Sequence, residues 1–278
     1  MPDEHPILLY WRAELKIFNE NLLLLREQLT ADPIHDIRVA IKKLRSCLKL
    51  CLHIVKDDHE KKLLVHTSAL FSVLGRHRNL EISKNLLLSF AEKDAASLNS
   101  AFVFLQLLQD QAGEYCKESL QNYKKNELDE LTSELENKLK NHNDQEILEA
   151  AQEILLSSIE QVKTDLKHFE EKFHLVRKQL KNVFYQAKMF GNELLFTKPQ
   201  LKAIDKTLSH LGDIQDHEIL ISNLKSFRKL ILSKSIDDYH LIKKIEDEAK
   251  EKQEELLEKA NRSTEELVSR YDKHDLET

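Results

Sequence analysis

Apolar residues recur at three- and four-residue spacing along almost the whole chain, the signature of amphipathic helices. The first helix is predicted over Leu8 to Leu29. Asp32 suits an N-cap and Pro33 a first helical residue, so a second helix is expected from there to about Val55. Asp57 and Asp58 open a third, expected to end near Gly75, and a fourth covers about Asn79 to Ala91. Long helices fill Ser97 to Asn141 and Gln145 to about Met189, the latter with a break expected around Thr164 to Phe169. Gly191 reads as a C′ residue. Thr197 and Pro199 start a helix ending near Gly212, Asp216 caps the next, and Ser235 to Asp275 forms one long acidic helix.

The chain also repeats itself. Ile34-His35-Asp36-Ile37-Arg38 with Lys42 is echoed by Phe173-His174-Leu175-Val176-Arg177 with Lys181. Both read His-x-x-Arg-x-x-x-Lys after an apolar residue. Leu74-Gly75, Asn79 and Glu81-Ile82 follow the first; Leu211-Gly212, Asp216 and Glu218-Ile219 follow the second. The histidines lie 139 residues apart and the glycines 137 apart. Two helical units of nearly half the chain each are expected, about 6–143 and 144–278, packed about an approximate two-fold axis in a single domain over 1–278. Each holds helix enough for a bundle of about four. The fold class expected is all-α.

Composition narrows the classes further. Only 4 Gly and 4 Pro occur in 278 residues, too few to punctuate a β-rich fold. No run of about 18 apolar residues exists, so no membrane span is expected. The first residues, with Asp3 and Glu4, resemble neither a secretory signal nor a transit peptide. Three cysteines, Cys47, Cys51 and Cys116, indicate reduced thiols and a cytoplasmic setting. Cys47 and Cys51 stand one helical turn apart among Leu44, Leu48 and Leu52, which reads as core packing and not as a metal pair.

The net charge of −6 conceals a segregation of sign. Pro33 to Lys56 carries six Lys/Arg and one acid; Lys172 to Phe190 carries five and none. Those 43 residues hold about +10, which leaves −16 for the other 235. On a helix His35, Arg38, Lys42, Arg45 and Lys49 fall within an arc of roughly 80°, with Ile37, Ala40, Ile41, Leu44, Leu48 and Cys51 broadly opposite. His174, Arg177, Lys181 and Lys188 form a similar stripe with Lys178 at its edge, interrupted by Phe184 and Tyr185. Most charge runs are solvated faces, but solvated faces mix signs because like charges at i,i+4 repel. The first stripe also begins at a helix N-terminus, where the macrodipole disfavours cations. A compensating anion is therefore expected.

The first stripe extends about 20 Å along its helix. One phosphate needs two or three donors, whereas a line of five suits an extended polyanion. Arg offers forks, Lys point charges and His a charge tunable near neutral pH. Reading bases would need aromatic platforms or groove-reading amides. The first stripe has no aromatic residue and no Asn or Gln. The acidic remainder would also repel long nucleic acid. A naked phosphate chain is favoured.

At these residues the sequence resembles the CHAD domains, the conserved-histidine α-helical domains. His35-x-x-Arg38-Val39-Ala40-x-Lys42-Lys43-Leu44-Arg45 resembles the family signature, and His174-x-x-Arg177-Lys178-x-x-Lys181 with Tyr185 is similar to its second-repeat helix. Leu74-Gly75-x-x-Arg78-Asn79 and Leu211-Gly212-Asp213-x-x-Asp216 resemble its Leu-Gly turns. The resemblance spans essentially the whole chain. It implies two pseudo-symmetric helical bundles with a basic groove between them that binds inorganic polyphosphate. The residues themselves add the expectation of no catalysis, and no cofactor or metal is expected. It further implies phosphate contacts from His35, Arg38, Lys42, Lys43, Arg45, Arg78, His174, Arg177, Lys178 and Lys181. Lys49 and Lys188 join that set from the stripes. No Glu-x-Glu-x-Lys strand motif of the CYTH-type triphosphatase that accompanies some members is seen. The sequence departs from the family at Lys42 and Lys43, where arginine is common, at Phe184, where a base is usual, at Lys188, where an acid is frequent, and at Asn79, where Asp is usual. Weaker binding by the second repeat is one consequence, with Lys188 restoring charge as the other.

Other readings remain. His35-Asp36 resembles a phosphohydrolase pair, but Asp36 points about 100° away around the helix and further ligands are lacking. His77, His217 and Arg76 adjoin the Leu-Gly motifs and are read equally well as solvent-exposed turn residues. Ile242, Ile245, Ala249, Leu256, Ala260 and Leu267 on the last helix would close the chain's own bundle, or pair with a partner protein in a scaffold. A nucleic-acid-backbone binder is the remaining alternative.

Overall fold

The structure, a computed structural model, describes residues 5–56, 64–90, 98–124, 126–190, 196–230 and 237–269. These residues form nine α-helices and no strand. They are α1 (Pro6–Glu27), α2 (Ala31–Ile54), α3 (Val65–Phe90), α4 (Asn99–Asn122), α5 (Asn126–Leu139), α6 (Asp144–Leu166), α7 (Phe169–Met189), α8 (Lys198–Leu230) and α9 (Asp237–Val268). The packing is dominated by four hairpins of consecutive helices: α1 with α2, α3 with α4, α6 with α7, and α8 with α9. Across the middle, α2 packs on α7 and α3 on α8.

Several boundaries differ from the pattern's expectation. α2 starts two residues earlier: Thr30 holds the N-cap position, and Asp32 and Pro33 lie in the first turn. Asp32 then meets the helix dipole and not a cap N–H. The helix expected over Ser97 to Asn141 is interrupted after Asn122, where Tyr123 is extended (φ −67°, ψ 121°). The interruption lets Glu127 of α5 accept from the backbone N–H groups of His66 and Thr67, both at 2.8 Å, so a distant carboxylate caps α3. The expected break near Thr164 to Phe169 falls at residues 167–168. There buried Asp165 accepts from Lys172 at 2.7 Å and Gln179 at 3.3 Å. Asn143 and Glu146 close a capping box at the start of α6, one residue before the predicted Gln145.

The largest difference concerns the two Leu-Gly motifs. Both were expected to end helices, yet α3 runs unbroken through Gly75 and α8 through Gly212. Gly75 serves close approach between helices, Gly212 meets only ordinary contact, and the conformational freedom of neither is used. The expected positions of Asp57, Asp58 and Gly191 lie outside the described residues.

Buried apolar side chains form two clusters, and neither belongs to one repeat. The larger draws on α1, α2, α6 and α7, together with α5 and the near ends of α3, α4, α8 and α9. The smaller joins the far half of α3 and the start of α4 to the far half of α8 and the start of α9, around Leu87, Leu105, Leu224, Phe227 and Ile245. Each bundle thus contains a hairpin from both halves of the chain. The apolar stripe of α9 is spent on these cores: Ile242, Ile245, Ala249, Leu256, Ala260 and Leu267 are all buried. Cys47, Cys51 and Cys116 are free thiols buried in the same interior. No helix among the described residues is long and apolar enough to cross a membrane.

The only tryptophan, Trp11, is fully buried and donates its indole N–H to Thr132 Oγ1 of α5 at 2.8 Å. Thr132→Val leaves that donor buried without a partner. It should cost about 1–3 kcal/mol, read by denaturant unfolding followed through Trp11 fluorescence.

Candidate anion-binding site

The two basic helices face each other across a cavity of about 440 Å³. α2 contributes Lys42, Arg45 and Lys49. α7 contributes His174, Arg177, Lys178 and Lys181, with Asn182 and Tyr185, and α8 adds Gln215. No carboxylate lines it among the described residues. Seven of the twelve sequence-predicted residues are therefore brought together, four of them from α7.

Arg38 lies beside this cavity, built into the seam between α2 and α3. Its Nη1 donates to the carbonyl of Phe71 at 2.7 Å, and its guanidinium lies 4.3 Å from the Phe71 ring centroid. A Cβ at Gly75 would overlap that guanidinium. Arg45 covers the same ring at 4.5 Å and donates to Ser68 Oγ at 2.8 Å. Lys42 Nζ stands 5.9 Å from it. Phe71 is thus a cation–π platform shared by three like charges. In the other half Arg177 passes Gly212 more loosely, 3.7 Å from where a Cβ would stand. Its Nε is buried with no hydrogen-bond partner. Arg38 and Gly75 also line a smaller neighbouring cavity of about 410 Å³, with Arg76, Asn79 and Asn223.

The remaining predicted residues are placed elsewhere. Lys43 turns to the α1 side and donates to buried Glu14 at 2.7 Å. Arg78 pairs with Glu81 at 2.7 Å on its own helix, although its charge reaches His35 and Arg38. His35 keeps an exposed surface at the start of the stripe, and partial desolvation by its neighbours, followed by the charge of Arg78, holds its imidazole below the usual range. Lys188 is exposed, with Nζ 4.2 Å from the Phe184 ring centroid. His174 reaches the rim, where Nε2 stands 3.0 Å from Glu218.

The field inside the cavity is set by burial and like charge. Lys181 is pushed down to about 7, first by burial and then by Lys42, Arg177 and Arg38. Lys42 is pushed down to about 8 by burial, Arg38 and Arg177. Arg38 falls to about 10 by burial, Arg45, Arg78 and Arg177. Asp216 of α8 opposes the shift of both lysines, and its own carboxyl is pushed up by burial against the pull of Arg177. This arrangement suits an anion that brings several negative charges into a confined space.

Sequence reasoning missed Phe71, Ser68, Asn182 and Gln215, and it counted Tyr185 as an interruption of the stripe. Only Tyr185 carried a signal, its position four residues after Lys181. The others come from the partner surfaces of α3 and α8, or from an uncharged turn of α7.

A family model described as the CHAD domain matches residues 10–225. The chain belongs to the CHAD family. Among solved structures, this CHAD domain is similar to the CHAD domain of the plant Ricinus communis. The TM-score is 0.75 at 15% identity, covering 94% of this chain and 90% of that one. It is also similar to PptA from Streptomyces chartreusis, with a TM-score of 0.63 at 12% identity, covering 95% and 98%. A comparison with curated proteins returns no match.

The two glycines of this CHAD domain should respond differently to alanine. Gly75→Ala displaces Arg38 from Phe71 and should lower Tm by about 2–4 °C, equivalent to about 1 kcal/mol. Gly212→Ala meets only ordinary contact and gains helix propensity, so Tm should hold or rise by a similar amount. A second expectation concerns pH. The folded chain binds the protons of Lys42 and Lys181 more weakly than the unfolded chain. Stability of the ligand-free protein should therefore rise as pH increases from about 7 to about 9. Lys181→Met should flatten that rise and increase Tm at pH 7 by about 5 °C, measured by circular dichroism.

Proposed function

We propose that this CHAD domain binds inorganic polyphosphate in the α2–α7 cavity and does not turn it over. The observation that carries the reading is the convergence of seven basic side chains from two helices on one cavity whose lining holds no carboxylate. Lys42, Arg45 and Lys49 face His174, Arg177, Lys178 and Lys181, so a phosphate chain between them is contacted from both sides. Arg supplies forked donors and Lys point charges, which matches repeating phosphate oxygens with no feature between them. Asn182, Gln215 and Tyr185 add neutral hydrogen-bonding groups at the same lining. The Phe71 ring is already engaged by Arg38 and Arg45, which disfavours its use as a base-stacking platform and so disfavours nucleic acid. A binding role without catalysis fits a lining that offers charge and donors but no paired carboxylates. No cluster of three or more His, Cys, Asp or Glu is placed to hold a metal among the described residues. A cytoplasmic setting, with its three buried thiols reduced, belongs to the same proposal. The alternative is an acidic partner protein in the same cavity.

Calorimetric titration with long-chain polyphosphate near physiological salt is the test, repeated with single- and double-stranded DNA as competitors. Submicromolar binding that DNA does not displace is expected, weakening steeply with salt by counterion release. Replacing Lys42 and Lys181 together by Gln should weaken binding by about 100-fold, whereas Lys188→Gln should change it by less than about twofold. Unchanged affinity in the double variant would remove the cavity from the reading. Displacement by DNA would favour a nucleic-acid binder.

A further inference from the structure

Lys42 and Lys181 occupy matching places in the two repeated motifs, 139 positions apart, and they line the same cavity from opposite helices. Other contacts at the centre also join the two halves of the chain at a similar separation. Gln186 donates to the carbonyl of Ser46 at 3.4 Å and Asn223 to Ser83 Oγ at 2.9 Å, both 140 positions apart. The symmetry that builds the cavity therefore brings each stripe's lysine against the other's.

Neither lysine forms an ion pair among the described residues. From α2 Arg38 acts on both and Arg45 on Lys42, from α7 Arg177 acts on both, and Lys49, Lys178 and Tyr185 share the cavity lining with them. The carboxylate acting on them is Asp216 of α8; Glu14, on the α1 side, is already held by Lys43. His174 at the rim is paired with Glu218. Arg38, Arg45 and Arg177 keep their protons throughout the neutral range, since a guanidinium does not deprotonate there. Any relief of the crowding of positive charge must come from the lysines.

We propose that polyanion binding in this CHAD domain is coupled to proton uptake, with Lys181 and Lys42 as the groups that take the protons up. The inference rests on the polyphosphate reading above and adds its regulation. In the ligand-free cavity part of the lysine population is neutral amine. As phosphate oxygens enter, each such amine binds a proton from solvent and becomes an ammonium ion, and the like-charge repulsion is replaced by attraction to the ligand. Affinity therefore falls as pH rises through the range in which the free lysines lose their protons. That places the sensitivity between about pH 7 and 8, where Lys181 and Lys42 titrate in the ligand-free protein.

Calorimetry in buffers of different ionisation enthalpy counts the protons directly. Long-chain polyphosphate is the probe, because its few terminal groups contribute little titration of their own. At pH 8 the protein should take up about one proton per bound chain, and at pH 6 close to none. The Lys42→Arg/Lys181→Arg double variant keeps both charges. It should still bind at pH 8, with uptake reduced by at least about half. An enthalpy at pH 8 that does not depend on the buffer overturns the proposal, as does equal uptake by the double variant. Failure to bind polyphosphate at pH 6 as well as pH 8 would instead sink the polyphosphate reading. In that case carbon-13 NMR titration of Lys181 in the ligand-free protein still decides the charge state: a midpoint near that of an ordinary lysine overturns the inference, and a midpoint near neutral pH upholds it for another polyanion.

Discussion

The structure turns on a concentration of like charge that the fold forces into partial burial. Helices α2 and α7 cross the centre of the molecule with their apolar sides in the core and their basic stripes toward each other. Burying cations without counter-charges costs free energy, and the cost appears as the lowered proton affinity of Lys42 and Lys181. Everything around the seam limits that cost short of neutralising it. Phe71 offers a π face to Arg38 and Arg45, its carbonyl accepts from Arg38, and Ser68 holds Arg45. Asp216 contributes one carboxylate nearby without pairing off the cavity's cations. The site remains strongly positive.

The hydrophobic organisation explains how such a seam can be held. Because each apolar cluster takes helices from both halves, neither half can swing away without opening two cores. The cavity walls belong to long helices packed over much of their length, and its spacing is set by rigid elements and not by loops. Trp11 bound to Thr132 and Glu127 capping α3 tie α5 into the same framework. A rigid site of this kind suits recognition of a regular polymer, where preorganised donors reduce the entropy lost on binding.

Gly75 shows how one residue can be identified by sequence and still be misread. Its place after Leu74 in a repeated motif marked it as special, and scarcity of glycine strengthened the signal. Local rules interpret such a glycine as a helix end. Its actual partner, the Arg38 guanidinium, lies 37 positions away in sequence and belongs to another helix. The same limitation separates Lys43 and Lys188 from the cavity. Each has the right charge beside a motif, but Lys43 faces Glu14 and Lys188 faces Phe184.

The amino-acid sequence by itself determined the helical class, the repeated motif and the two cationic stripes, since all three are written in local periodicity and in comparison of the chain with itself. It also placed the break near residue 167 and the buried stripe of α9, because each depends on the spacing of apolar residues within one helix. Tertiary structure alone decided that helices run through both glycines, that the bundles exchange hairpins between the halves, and that Phe71, Ser68 and Gln215 belong beside the stripes. It alone set Lys42 against Lys181. The physical reason is range: helix periodicity acts over a few residues, whereas burial, cation–π contact and like-charge repulsion depend on which surfaces meet, and those surfaces lie 33 positions apart for Arg38 and Phe71 and 139 apart for Lys42 and Lys181.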